Sequence, residues 1–291
     1  MSDELLRRFR DKIHGRASGR RRGTSVAADG VMAENAGVPA ETPEEEVPAD
    51  SIRIRGLQHG AYPGVSELNP RFQPGLPRVR LTLDIGQALR RRVGPLENGE
   101  RERLLALCPR LPDHLCGGGS DIRHLLGEPA MGPAASADTV PGEPDGLALA
   151  HLIEHVAIEL VVAAGLAPRC SGVTCAYRDR LDRFDIFLEC ADGHLGRAAA
   201  VLAAASVRDL LGGPDRLEVH RRCRDLLRLL VATGRTSIVP EDAAITLGCD
   251  LAGAREALEA LARLGFLDPI AAALTFSSCT GVTFRRARAE A

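Results

Sequence analysis

Residues Asp145-Gly-Leu-Ala-Leu-Ala-His-Leu-Ile-Glu-His-Val-Ala-Ile-Glu-Leu-Val-Val-Ala-Ala-Gly165 decide how this chain is read. They spell one helix. Asp145 is a good N-cap, because its carboxylate can accept from the orphan backbone N–H groups of a first turn. Gly165 suits the left-handed residue that ends a helix. At about 100° per residue, Ile153, Val156, Ala157, Leu160, Val161 and Ala164 form one apolar stripe. His151 and His155 point the opposite way, one turn apart. Ile158 and Val162 share that side, so the helix is apolar nearly all round and should be buried. Two His and two Glu on a buried helix need partners, since an unpaired polar group there is costly.

His151-x-x-Glu154-His155 has the inverted zinc-hydrolase spacing. Imidazoles at i and i+4 can share one metal. Glu154 between them can take a proton from water held by the ion, whose pKa zinc lowers towards neutrality. The plainer alternative is a buried polar cluster in which His and Glu pair at helical spacing.

The rest of the composition narrows the choice. The chain has 291 residues, enough for one large domain or two modest ones, with a formal charge of −2 that argues against a nucleic-acid field. Trp is absent and aromatics are 3% of the chain, so a base-stacking platform is not expected. Basic residues are almost all Arg, as in GC-rich bacterial genomes; Lys12 is the only Lys. That excludes a P-loop nucleoside triphosphatase, which needs its Lys. No stretch is long and apolar enough to span a bilayer, and the charged N-terminus lacks a secretory segment. A cytoplasmic protein with its eight Cys mostly reduced is the expectation. No CxxC pair occurs; Cys170 and Cys175 are the closest pair, a weak sign of a metal knuckle.

Three regions follow along the chain. Residues 1–50 read as a disordered tail, with a short amphipathic helix before Arg10, a basic cluster around Arg20–Arg22 and the acidic run Glu41–Glu46. Residues 51–214 read as the metal-binding domain. Ile52 and Ile54 alternate with Arg53 and Arg55, and Val79, Leu81, Leu83 and Ile85 alternate with Arg80, Thr82 and Asp84, so both are strands. Arg101 to Cys108 reads as a helix. Leu111-Pro-Asp-His-Leu-Cys-Gly-Gly-Gly-Ser120 reads as a loop that can bring His114 and Cys116 to a ligand. Gly172–Tyr177 and Arg183–Cys190 read as a hairpin, and His194–Leu211 as a helix. The order predicts an α+β fold, an antiparallel sheet with helices on one face. Residues 215–291 read as a small winged-helix-like module: helices Leu217–Ala232, Pro240–Leu247 and Leu251–Leu264, then strands at Thr275 and Val282–Phe284 around Thr280-Gly281. Its third helix carries Arg255 and Arg263 beside Glu256 and Glu259, which is thin for DNA.

At Arg80-Leu-Thr-Leu-Asp84, Leu111 to Cys116, His151-Leu-Ile-Glu-His-Val-Ala-Ile-Glu-Leu160 and Phe187-Leu-Glu189 the chain resembles the N-terminal domain of cyanophycin synthetase, over roughly Ile52 to Asp209. The resemblance implies a domain similar to inverted-motif metallopeptidases that cuts the polymer to make primers. It also points to Cys116 as a zinc ligand and to β-aspartyl-arginine peptides as substrates. The ATP-grasp and Mur-ligase-like domains of that family are absent here, so polymer synthesis is not implied. The segments Gly127–Gly142 and Pro168–Gly172 depart from the family beside the presumed site.

The expectation is therefore a zinc-dependent hydrolase of amide or peptide bonds holding one ion. His151 and His155 are ligands, Glu154 is the general base and Cys116 is the third ligand. Glu159, His114 and Glu189 are alternatives or outer partners; Glu159, a turn beyond His155, suits orienting a His. The partners expected are a peptide or amide substrate and no membrane, with self-association left open. The rival is a non-catalytic binding or scaffold protein that inherited the fold, with function carried by the C-terminal module.

Overall fold

The computed structural model describes residues 51–90, 95–114, 122, 124–127, 146–165, 167, 169–212, 216–235, 237–270 and 275–278. The expected N-terminal helix and tail, Cys116, Asp145 and the strand at Val282–Phe284 lie outside them.

Period-two alternation builds the main sheet. Its strands are β1 (Ile52–Gly60), β2 (Arg78–Ile85), β3 (Gly172–Ala176) and β4 (Arg183–Glu189). All neighbours are antiparallel, in the order β1-β2-β4-β3. Val79, Leu81, Leu83 and Ile85 of β2 face Leu188, Ile186 and Phe184 of β4 across the pair, and all are fully buried. In β1 a bulge between Ile54 and Gly56 shifts the parity, so Ile52 and Ile54 are followed on the same face by Leu57 and His59. On β3 the same face carries Gly172 and Thr174, opposite Leu188 and Ile186.

The other face is polar and paired. Asp84, fully buried, is held by Arg55 Nε at 2.6 Å and Arg183 Nε at 2.7 Å. Asp185 accepts from Arg80, Thr82 and Tyr177.

Helices cover the apolar face. α1 (Gln87–Arg90) and α2 (Asn98–Leu107) precede the principal helix, α3 (Leu147–Ala163). α4 (Gly193–Leu211) begins at Asp192, whose side chain accepts from the backbone of His194 and Leu195. α3 packs on β3 and β4, and α4 on β1 and β2. This is the α+β arrangement expected, with helices on one side of an antiparallel sheet. α3 is buried nearly all round, as its composition requires: Leu152, Ile153, Val156, Ala157 and Val161 have no exposure. Burying each of the larger ones is worth about 1.5–3 kcal/mol. The helix begins at Leu147 after Gly146, one residue later than an Asp145 cap would place it. Gly165 follows it with φ +79°, the left-handed conformation expected there.

The C-terminal elements run α5 (Leu217–Thr233), β5 (Ser237–Ile238), α6 (Pro240–Leu247), α7 (Leu251–Arg263), β6 (Leu267–Ile270) and β7 (Thr275–Ser278). The small sheet has the order β5-β7-β6. Thr275 lies on a strand, as read from sequence, and that strand, Thr275–Ser278, pairs with Leu267–Ile270. Pro269 hid the strand Leu267–Ile270, since proline argues against strand pairing. The apolar face of α5 (Leu217, Cys223, Leu226, Leu227 and Leu230) is buried in the same cluster as α2, α3 and α4. No described helix is long and apolar enough to cross a membrane.

Candidate metal centre

The centre is built on α3. His151 and His155 are one turn apart, and their Nε2 atoms face each other at 3.0 Å. Glu154 lies between them in sequence, and ligand atoms of all three residues lie within 4.8 Å of one another. Among the described residues this is the one group of His, Cys and carboxylate that could hold an ion. Two nitrogens each about 2.0–2.1 Å from one tetrahedral ion stand roughly 3.3 Å apart. The imidazole pair therefore needs to open by only a few tenths of an ångström to take one. His155 and Glu154 are buried and His151 is half-buried, so the group sits at the edge of the core.

Burial sets the protonation states. His155 is pushed down to about 2, by its loss of solvent first and then by the neighbouring His151 and His114. It is a neutral imidazole at any ordinary pH, the form that ligates a metal. Glu154 is pushed up to about 7 by burial, with the hydrogen bond from Thr174 acting the other way. Thr174 Oγ1 donates to Glu154 Oε2 at 2.6 Å. Gly172, two residues earlier on the same face of β3, leaves room for that carboxylate. A Cβ at Gly172 would stand 2.7 Å from Glu154 Oε1 and 2.8 Å from its Cγ.

His114 follows a short 3₁₀ turn (Leu111–Asp113) and reaches α3 from the side. Its Nδ1 lies 3.0 Å from His155 Nδ1, and its Nε2 lies 3.0 Å from Glu159 Oε2. Glu159 thus serves a histidine as expected, but the histidine it holds is His114. Cys116, expected as third ligand, lies outside the described residues. Glu189 is a correction: strand alternation turns it to the polar face of the sheet, opposite Leu188, where its carboxylate accepts from Gln73 N. It is not a partner of the imidazoles. The weak Cys170–Cys175 knuckle also dissolves. Cys175 is registered with Asp185 on the polar face, and the Cys170 thiol donates to the Glu189 carbonyl at 3.2 Å. Burial, with Cys190, Glu189 and Glu154 nearby, pushes that thiol well above its usual range.

No family model, curated protein or solved structure matches this chain.

Thr174 and Gly172 were not singled out by sequence reasoning. Their alternation on β3 would have placed them on one face, but nothing local in the sequence says which helix residue that face meets.

Proposed function

We propose that the chain is a zinc-dependent hydrolase of amide or peptide bonds, with His151 and His155 as ligands and Glu154 as general base. The observation that carries the reading is the convergence of three buried or half-buried groups, in inverted zinc-hydrolase spacing, on one point of α3. A neutral His155, a second imidazole facing it and a carboxylate within reach suit a zinc ion. When bound there, zinc supplies Lewis acidity towards a carbonyl oxygen and towards water.

The remaining chemistry belongs to the chain. Thr174 holds Glu154 Oε2, which orients the carboxylate. A carboxyl group that titrates near neutrality both takes and returns a proton at working pH. Glu154 takes the proton of the attacking water as its oxygen bonds to the carbonyl carbon. It then gives that proton to the leaving nitrogen as the C–N bond breaks. The resemblance to the cyanophycin synthetase N-terminal domain proposes β-aspartyl-arginine isopeptides as first substrates, with ordinary peptides beside them. In the same reading the C-terminal helices and ribbon form a winged-helix-like module that packs against the hydrolase rather than reading DNA.

The test is hydrolysis by zinc-loaded protein. Glu154→Gln keeps the shape of the side chain and should cost about a hundred- to ten-thousand-fold in rate, the usual weight of general-base catalysis. A wild type that holds zinc but cleaves nothing in a broad isopeptide, peptide and amide library would favour the scaffold reading.

A further inference from the structure

Glu159, His114, His155 and His151 form one hydrogen-bonded file with three successive contacts of 3.0 Å. The direction of these bonds follows from the carboxylate at one end when both inner imidazoles are neutral. A carboxylate can only accept, so His114 Nε2 carries the proton and donates to Glu159. A neutral His114 then has its lone pair on Nδ1. The atom facing it, His155 Nδ1, must donate. A neutral His155 then has its lone pair on Nε2, the nitrogen that faces His151.

Metal-bound histidines commonly hand their second N–H to a carboxylate or carbonyl, which fixes tautomer and ring orientation. Here the carboxylate lies one imidazole further away. Glu159 stands four residues after His155 on α3, yet its bond goes to His114. The side chain of Glu159 is 4% exposed and that of His114 16%, so water competes little for these bonds. His114 is itself well anchored. Its backbone N–H donates to Leu111 O at 3.2 Å, and Leu111 has no exposure. The end of α2 just before this turn accepts from Arg224 of α5 through Ala106 O, at 3.1 Å, and through Leu107 O.

We propose that His114 and Glu159 are positioning residues: Glu159 orients His114, and His114 fixes the Nδ1–H tautomer of His155 so that its Nε2 lone pair is presented to the ion. This rests on the metal reading above. His114 is not itself a ligand, because both of its ring nitrogens are engaged by the file.

The test uses the full chain and zinc alone. Outer partners of this kind are typically worth 10- to 100-fold in metal affinity. His114→Ala should weaken zinc binding by about that factor, and His114→Gln, whose carboxamide both accepts and donates, should fall between it and wild type. Cobalt(II) in place of zinc should give a changed visible spectrum in His114→Ala, a signature that a merely structural role would not move. Nitrogen-15 NMR of the metal-free wild type should show His155 protonated at Nδ1. Equal zinc affinity in wild type and His114→Ala, or a His155 protonated at Nε2, would overturn the proposal and leave the metal site standing. A wild type that binds no zinc removes the metal reading and this proposal with it. Should His114→Ala not fold, the wild-type NMR spectrum decides.

Discussion

Thr174 Oγ1 on β3 donates to Glu154 Oε2 on α3 across 2.6 Å. This bond ties the chemistry-bearing helix to the last strand of the sheet. It also explains how a carboxyl group with 4% exposure is tolerated between a helix and a sheet: one oxygen is satisfied by a hydroxyl, and burial raises the pKa rather than breaking the fold.

The same geometry has a cost at neutral pH. Glu154 rises from an ordinary 4.5 to about 7 in the fold, so the folded state holds this proton more tightly than the unfolded chain does. For a carboxyl group raised in this way, the contribution is favourable below pH 4.5 and is lost as pH rises through about 7. Without metal, wild type should therefore lose up to roughly 3 kcal/mol of stability over that window, at about 1.4 kcal/mol per unit. Glu154→Gln cannot ionise and should remove that loss. Denaturant midpoints of both proteins at pH 5 and pH 8, with a chelator present, measure the difference. Parallel pH profiles would mean that Glu154 is not buried as described.

Gly172→Ala should strike the site more than the fold. Its Cβ would meet Glu154 at 2.7–3.0 Å, closer than side chains pack, so the carboxylate must move off Thr174. Overpacking of this kind costs about 1–3 kcal/mol. Hydrolysis should fall much further than that loss of stability would account for, with zinc binding retained. Denaturation, a zinc titration and an isopeptide assay on the same preparation check this. Unchanged activity would show that the position of Glu154 is not critical.

Removing Leu217–Ala291 should unsettle the whole molecule. Cys223, Leu226, Leu227 and Leu230 of α5 have at most 1% exposure and pack in the core shared with α2, α3 and α4. Deletion uncovers that core, and Arg224 no longer holds the end of α2. The truncated chain should aggregate or bind a hydrophobic dye, measured by light scattering and fluorescence. A folded, zinc-binding fragment would show that the two parts are energetically separate.

Much of this architecture was legible because it depends on period. Val79 to Ile85 and Phe184 to Leu188 alternate cleanly, and their strands are where alternation places them. The helix of His151 and His155 could be read from its apolar surround, and the pair does converge. Sequence spacing could not reach further. His114 meets His155 across 41 positions, a contact set by how the turn after α2 folds against α3. Glu189 seemed available as a ligand until strand parity turned it to the polar face. The strand Leu267–Ile270 could not be read because Pro269 sits inside it, and only its pairing with Thr275–Ser278 reveals it.

Calorimetric titration of the chelator-treated full chain with zinc decides whether His151, Glu154 and His155 form a metal centre. One ion should bind per chain, with binding lost in His151→Ala and in His155→Ala while Glu154→Gln still binds. Absence of binding in wild type, or binding that survives both histidine substitutions, would contradict it.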